Sequence, residues 1–374
     1  MLRSLFIAFV ISVGAQPASA AEPPTPSQAA DAPQDAQAPA PQQDAAKSPP
    51  ETAPASQAAQ ARIISATQKG MGTNYHIQVY SADEAGAQKA IAAALAEMAR
   101  IEKMMSEWQK DSDISRLNQN AGKDPVKVDE ETYRVLETGQ AVALASKGAF
   151  SMTWAALGGL WDFRQGKEAQ LPNLADVKAR LPLINDADIV FDEKNQTVKL
   201  GRQGMALGLG GIAKGYAIDR AVLILKKHGF TDVLVYAGGD LRTNGGKGDT
   251  KWVIGIQDPR ADGYFASLDV GDEALATSGD YQNFFENAGK RYHHILDPKT
   301  GYPAEGCRSV TVIAKDAVRA DAFATAIFVL GLNDGMALAE MTKDVEVLIV
   351  AANNELAMSS GLQKRLRLVH PPSE

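Results

Sequence analysis

The chain has 374 residues, of which 45% are hydrophobic and 22% are charged, and its formal net charge at pH 7 is −7. This length suits one large domain or two ordinary ones. An acidic chain without a run of Lys or Arg gives no electrostatic reason to expect a nucleic-acid partner. Its one cysteine, Cys307, excludes an intrachain disulfide and a thiolate metal cluster. We interpret Cys307 as a small buried residue and not as a nucleophile.

The first 61 residues are not expected to contribute to a folded core. Residues 1–21 combine Arg3, an apolar run and a small-residue end, which is typical of a cleavable secretory signal. Residues 22–61 consist largely of Ala, Pro, Gln, Ser and Asp, a composition that predicts a disordered tether. No cysteine lies near the predicted cleavage site, which argues against a lipid anchor. We therefore expect an exported, periplasmic and soluble protein with no later transmembrane segment.

The remaining sequence predicts alternating strands and helices. Residues 61–81 alternate apolar and polar side chains, as in a half-buried strand, and residues 84–108 have the apolar spacing of an amphipathic helix. Further patterns predict helices at 130–146, 208–227 and 319–330, a hairpin at 188–200, strands at 233–236, 252–256 and 309–314, and a last strand at 345–350.

Several neighbouring strands are joined by turns that are too short for a helical crossover. The sheet should therefore be mixed or largely antiparallel, and packed by helices. We predict a single α+β domain over residues 62–374.

Residues 208–227 are predicted to form a glycine-rich entry that leads into a helix. Gly208, Gly210 and Ala213 satisfy a loose dinucleotide-binding pattern, but no buried β-branched strand precedes them, so a Rossmann unit and a nicotinamide-dependent oxidoreductase are disfavoured. More generally, glycines let a backbone approach a phosphate, a helix N-terminus attracts anions, and Lys214 adds positive charge. The alternative is glycines needed for close packing beside a solvated lysine.

Two other features have both a chemical and a structural interpretation. Asp321 and Thr325 are four residues apart on a predicted helix, so they share a face and offer hard oxygens that suit Mg²⁺; alternatively, they only stabilise their own helix.

His293 and His294 should face opposite sides of an extended segment. One of them is a candidate general base near neutral pH, or a hydrogen-bonded structural residue.

The order of these pieces resembles the ApbE-type family of FAD:protein FMN transferases. The matching segments run in family order over most of the predicted domain: MGTNY (71–75), MSEWQKDSDISRLN (105–118), GAFSMTWAALGGLWDF (148–163), LGGIAKGYAIDRA (209–221), YAGGDLRTNG (236–245), ATSGDY (276–281), HHILDPKTG (293–301) and ADAFATAIFVLG (320–331). Each segment alone is weak, whereas their joint occurrence is specific.

The resemblance implies a reaction in which FAD, with Mg²⁺, is split and its FMN half is attached to a Thr or Ser hydroxyl of a partner redox protein, with release of AMP. It implies that Asp321, Thr325 and the backbone carbonyl of Gly211 bind Mg²⁺, and that His294 acts as the catalytic base. The positions that it implies for FAD contact are Met71, Trp108, Ala149, Phe150, Ser151, Gly208 and Lys214.

Two positions depart from the family pattern. Ser151 and Gly208 stand where the family usually has Asp, so carboxylates near the nucleotide are lost. An alternative is therefore an exported FAD-binding carrier with little turnover. A further alternative is an FAD pyrophosphatase that transfers FMN to water.

Overall fold

The computed structural model describes residues 60–163 and 170–374. The signal peptide predicted at 1–21 lies outside the described residues, as does the tether predicted at 22–61 except for its last two residues. The α-helices are α1 Glu84–Met105, α2 Asp113–Gln119, α3 Glu130–Ala145, α4 Leu174–Arg180, α5 Ala213–Lys227 and α6 Ala317–Met341. Short 3-10 helices lie at Met152–Leu157, Leu181–Leu183, Asp186–Asp188 and Leu362–Lys364.

The strands, in chain order, are β1 Arg62–Gly70, β2 Thr73–Ser81, β3 Val126–Lys127, β4 Ile189–Asp192, β5 Thr197–Leu200, β6 Val233–Ala237, β7 Asp240–Asn244, β8 Gly246–Lys247, β9 Thr250–Gln257, β10 Tyr264–Val270, β11 Ala274–Gly279, β12 Phe284–Asn287, β13 Lys290–His293, β14 Cys307–Ala314, β15 Val345–Ala351, β16 Leu356–Met358 and β17 Arg367–Leu368.

The largest sheet has eight strands in the order β1-β2-β6-β7-β11-β14-β15-β16. Each neighbouring pair in it is antiparallel. Smaller sheets are formed by β17-β10-β9-β8, by β3-β5-β4 and by β12-β13. The α+β prediction is thus confirmed, in its antiparallel form.

Both faces of the large sheet are buried. In β6, Val233 and Val235 join the core formed with the helices, whereas Leu234 belongs to a second core with Trp252 and Phe265 of the smaller sheet. The strand period of two therefore sends successive side chains into two cores. The result is a central sheet between a layer of helices and a four-stranded sheet.

Three sequence predictions differ from the structure at element ends. Residues 61–81, predicted as one strand, form the β1–β2 hairpin, whose turn residues Met71 and Gly72 have φ values of 46° and 71°. A pair of left-handed residues is typical of a tight two-residue hairpin turn. Helix α1 ends at Met105 and not at Trp108, because the chain becomes extended at Ser106. Two short strands, β16 and β17, follow the strand that was predicted to be last.

Helix α6 is longer than predicted and has a kink at Gly331, where φ is 78°. By length and apolar composition it is the one helix among residues 60–163 and 170–374 that could cross a membrane. However, 56% of its most apolar window is buried inside the protein. Its apolar character follows from its packing against β11, β14 and β15.

We expect core packing on α1 to contribute strongly to stability. Met98 is fully buried, whereas Met341, at the end of α6, is 78% exposed. Met98→Ala should lower the free energy of unfolding by about 2–5 kcal/mol, because it removes buried methylenes and leaves a cavity. Met341→Ala should change it by less than about 0.5 kcal/mol. Urea unfolding followed by circular dichroism measures both, and equal effects would contradict the assigned core.

Candidate active site

A buried lysine lies between two buried carboxylates. Lys214, in the first turn of α5, places its Nζ 3.1 and 3.2 Å from the two carboxylate oxygens of Asp321 and 3.1 Å from Oδ2 of Asp240. The same ammonium donates to the carbonyl of Gly210 at 2.8 Å. We call Lys214, Asp240 and Asp321 the acidic cluster. It joins α5, α6 and β7, three elements that are distant in the sequence.

Burial and mutual repulsion shift the pKa values in this cluster. Burial, followed by the nearby Asp321 charge, raises the pKa of Asp240 to about 7. Burial also raises the pKa of Asp321, although Lys214 and the amide of Gly215 oppose the shift. Burial alone would lower the pKa of Lys214, but the two carboxylates outweigh it and raise that pKa. The lysine is therefore charged at neutral pH, and its single positive charge is shared by two carboxyl groups.

The predicted Mg²⁺ ligands lie close together. Thr325 is one turn after Asp321 on α6, and a Cβ built on Gly211 would lie 3.0 Å from the Thr325 hydroxyl. No group of three or more His, Cys, Asp or Glu side chains gathers around a point within the described part of the chain. A cation here would instead use a carboxylate, a hydroxyl, a backbone carbonyl and substrate phosphates. That mixed set of hard oxygens fits Mg²⁺.

Metal fit is also indicated by an oxygen of Asp240. Its Oδ2 is buried and is approached by the Lys214 ammonium at 3.1 Å, a donor that it shares with Asp321 and Gly210. A buried carboxylate oxygen with only a shared donor is stabilised when a ligand supplies a further partner. The residues around the acidic cluster are therefore suited to a hard cation.

The two adjacent histidines have different environments. His293 is buried, its Nε2 donates to the carbonyl of Ala304 at 2.8 Å, and its ring packs edge-on against Phe328. His294 is partly exposed, and its Nδ1 lies 3.3 Å from the carbonyl of Asn283. Because a carbonyl can only accept, the proton belongs on Nδ1 and Nε2 is left as an acceptor. His293 is thus structural, and His294 is the histidine available for chemistry.

The pKa of His294 is lowered to about 4. Burial is the main cause, and the positive charges of His293 and Lys214 add to it. The influence of Lys214 means that His294 lies in the field of the acidic cluster. At neutral pH its imidazole is neutral and can accept a proton.

Two of the predicted FAD-contact residues lie in loops. Met71 is in the β1–β2 turn, where its amide donates to Glu102 at 2.9 Å. The next residues of that hairpin approach the turn before β7, since a Cβ on Gly238 would lie 2.7 Å from the Thr73 hydroxyl. Trp108 follows α1, and its side chain is 86% exposed. Met71 is therefore near the acidic end of β7, whereas a role for Trp108 stays a prediction.

The segment 149–151 connects the predicted metal ligands to a cleft. Ala149, Phe150 and Ser151 are buried, and the Phe150 ring lies beside Gly211. Ser151 caps the following 3-10 helix, with its hydroxyl 2.9 Å from that of Thr153.

A carboxylate is nevertheless present beside Ser151. Asp186 Oδ1 accepts from the amides of Met152 and Thr153, each at 3.1 Å. Burial raises the pKa of Asp186 to about 6, although the Ser151 hydroxyl opposes the shift. The expected loss of negative charge at position 151 is therefore offset from position 186.

Gly208 has a packing role that the sequence pattern did not reveal. Its carbonyl accepts from the Trp154 indole at 3.0 Å, and a Cβ on Gly208 would lie 2.9 Å from the Trp154 ring. The amide of Gly208 donates to Met152. The indole therefore occupies the space that a side chain at 208 would need.

A cleft of about 960 Å³ lies next to this segment. Its lining includes Ser151, Asp186, Lys147 and Lys299, but not the acidic cluster. Five partly buried aromatic rings, of which Phe285 and Tyr292 belong to the β12–β13 hairpin, contact one another: Trp161, Phe163, Phe285, Tyr292 and Tyr302.

Sequence reasoning missed Asp240, Asp186 and Trp154. Asp240 follows two glycines at the end of a predicted strand, and this loop-edge carboxylate was the one available signal. Asp186 and Trp154 reach the site only through tertiary packing. Nothing in their local sequence marks them.

We expect Gly208 to be intolerant of any side chain. Gly208→Ala should lower the free energy of unfolding by about 1–3 kcal/mol, because the methyl group must displace the Trp154 ring. Gly210→Ala is the matched control, since a Cβ there meets nothing within 4 Å. Urea unfolding followed by tryptophan fluorescence compares the two. A cost at 210 equal to that at 208 would contradict the packing account.

Comparison with known proteins identifies the family. Residues 71–349 match the model of the ApbE family. A Klebsiella pneumoniae protein named FAD:protein FMN transferase is 33% identical over 310 residues, which are 82% of this chain and 94% of that protein. A Treponema pallidum protein of the same name is 34% identical over 332 residues, which are 83% of this chain and 91% of that protein.

Solved structures agree with these matches. The ApbE protein of Thermotoga maritima superposes with a TM-score of 0.74 at 34% identity, covering 84% of this chain and all of that one (100%). The flavin transferase ApbE of Vibrio cholerae superposes with a TM-score of 0.72 at 29% identity, covering 82% of this chain and 99% of that one. Fold, motif order and sequence identity agree, and the chain belongs to the ApbE family.

Proposed function

We propose that the protein is an FAD:protein FMN transferase that uses Mg²⁺, attaches FMN to a Thr or Ser hydroxyl of a partner redox protein, and releases AMP. The observation that carries the proposal is the acidic cluster, together with a neutral His294 whose pKa Lys214 helps to lower. It combines a cation site, a phosphate-seeking lysine and a base. Those are the parts that phosphoryl transfer needs, because positioning and charge neutralisation supply most of its catalysis.

In the proposed reaction the acceptor hydroxyl oxygen attacks the phosphorus of the FMN half of FAD. A new P–O ester bond forms, the P–O bond to the AMP half breaks, and AMP leaves with the bridging oxygen. The hydroxyl proton passes to Nε2 of His294. Because the carbonyl of Asn283 holds the proton on Nδ1, Nε2 is already the acceptor.

The remaining residues bind and orient the substrate. Asp321, Thr325 and the carbonyl of Gly211 would hold Mg²⁺, which would supply positive charge against the pyrophosphate. Lys214 supplies a further positive charge to the same phosphates. Its place in the first turn of α5 is near a helix N-terminus, where anions are favoured.

FAD is proposed to contact Met71, Trp108, the segment 149–151, the backbone at Gly208, and Lys214. Asp186 supplies the carboxylate that Ser151 lacks. The exposed indole of Trp108 provides a surface on which a flavin or adenine ring can stack. We also propose export to the periplasm, on the basis of the predicted signal at 1–21, with an FMN-acceptor redox protein as partner there.

Mass spectrometry of an FMN-acceptor domain tests the proposal. Incubation with the protein, FAD and Mg²⁺ should add one FMN to the acceptor, and EDTA should prevent the addition. Asp321→Ala should abolish the transfer, because it removes the charged ligand, whereas Asp334→Ala, on the exposed side of the same helix, should not. FMN and AMP formed without acceptor modification would favour a pyrophosphatase. Tight FAD binding with no products would favour a carrier.

His294→Gln should slow transfer by about 10²–10⁴-fold, as expected for loss of a general base, and should leave the Kd for FAD nearly unchanged. His370→Gln, at an exposed position, is the control. Single-turnover kinetics and flavin fluorescence separate the two quantities. An equal loss of transfer and of FAD affinity would make His294 a binding residue.

The stability of the His294→Gln variant should also depend on pH in a different way from that of the wild type. The pKa of His294 is about 4 in the folded protein and about 6.5 when unfolded. The unfolded chain therefore binds more protons between these values, and stability due to a neutral His294 is present above pH ~6.5 and lost as pH falls to ~4. His294→Gln should make this decline shallower, as measured by urea unfolding at several pH values.

A further inference from the structure

The ammonium of Lys214 sits in a position suited to a metal ion. Four oxygen atoms lie within 3.2 Å of Nζ: the carbonyl oxygen of Gly210, one carboxylate oxygen of Asp240 and both carboxylate oxygens of Asp321. The lysine side chain is only 21% exposed, and those of Asp240 and Asp321 are 4% and 5% exposed. Hard oxygens converging on one buried point are what a divalent cation of the Mg²⁺ type prefers.

The charges at this point do not balance. One ammonium faces two carboxyl groups, so negative charge is in excess whenever both of them are ionised. The nearest other cation on β7, Arg242, is engaged by Asp219 at 2.7 Å and by Asp272 at 3.5 Å. A buried excess of negative charge is unfavourable unless a further cation compensates it.

Asp240 has room for a further partner. Its buried Oδ2 is approached by Lys214 Nζ at 3.1 Å, and that ammonium is shared with Gly210 and with both oxygens of Asp321. The backbone holds this carboxylate in place, because Asp240 pairs with Ala237 across one neighbouring strand and with Ala276 across the other. The oxygen is thus fixed in position, with a donor that it does not hold alone.

We propose that Asp240 is a further ligand of the cation site, opposite Asp321, and that the Lys214 ammonium holds the place of the cation until the ion binds. This inference rests on the proposed function, which supplies the ion. A divalent cation in the place of the ammonium would balance the charge of both carboxylates when they are ionised. Lys214 is then free to turn towards the phosphates of the substrate. Lys214 would thus occupy one position in the metal-free site and another in the metal-bound site.

The competing account makes Asp240 a structural anchor for Lys214 and for the amide of Thr277. The two accounts differ in what they predict for binding of the metal alone. Loss of a ligand weakens cation binding directly, whereas loss of an anchor destabilises the fold. The accounts also predict opposite changes in cation affinity when the lysine charge is removed.

Mn²⁺ binding to the flavin-free protein, followed by the electron paramagnetic resonance of the free ion with and without AMP, separates the accounts. Asp240→Asn should raise the Kd for Mn²⁺ by about 10–100-fold, the usual cost of losing a supporting group at a metal site. Lys214→Gln should lower that Kd, because the ammonium no longer competes for the oxygens. Asp280→Asn is the matched control, since the Asp280 charge is already met by Arg260 at 2.7 Å through both oxygens.

An unchanged Kd in Asp240→Asn, or weaker Mn²⁺ binding in Lys214→Gln, would overturn the proposal while leaving the transferase function intact. A wild-type protein that binds no Mn²⁺ under either condition would overturn the metal requirement, and the ligand role with it. Asp240→Glu provides a second variant if the Asn variant does not fold. Its carboxylate is displaced by one methylene, so it too should bind Mn²⁺ more weakly than wild type, and wild-type affinity would contradict the proposal.

Discussion

The arrangement of the site depends on one buried carboxylate, Asp219. From α5 it accepts hydrogen bonds from the first amides of α6, Ala317 at 2.9 Å and Val318 at 3.0 Å, and from Arg242 of β7 at 2.7 Å. It thereby joins the same three elements that carry the acidic cluster. The close approach of α5 to α6 also requires Gly215, because a Cβ there would lie 2.1 Å from the carbonyl of Ala317. The positions of the groups that are proposed to bind the cation thus follow from a structural contact about one turn away from them.

The two departures from the family pattern are each accompanied by a local replacement. A carboxylate from residue 186 approaches the backbone next to Ser151, and the Trp154 indole fills the space above Gly208. Charge and volume are therefore supplied from other positions in the chain. Reading a motif one residue at a time does not detect such exchanges, because the compensating residue is a neighbour in space and not in sequence. This weakens the case for a carrier without turnover.

Helices and strands with a clear apolar period were predictable from the sequence, and each feature that was missed has a specific physical cause. The amphipathic pattern of α1 and the alternation of β2 gave the correct element types. The β1–β2 turn was missed because Met71, a residue without β-turn preference, adopts a left-handed conformation there. The proximity of Asp321 and Thr325 was predictable because they share one helix. Asp240 was not, since its partners lie on α5 and α6 and become neighbours only after the sheet has formed.

The hydrogen bond to His294 has a consequence for how the protein tolerates change. Its tautomer is set by a main-chain oxygen, that of Asn283, and not by a carboxylate side chain. Every amino acid at position 283 would present the same carbonyl, so mutation of that residue's side chain does not remove the acceptor. The orientation of the imidazole depends instead on the path of the backbone before β12. Sequence drift in this loop is therefore compatible with an unchanged imidazole orientation, whereas an insertion or deletion that shifts the loop is not.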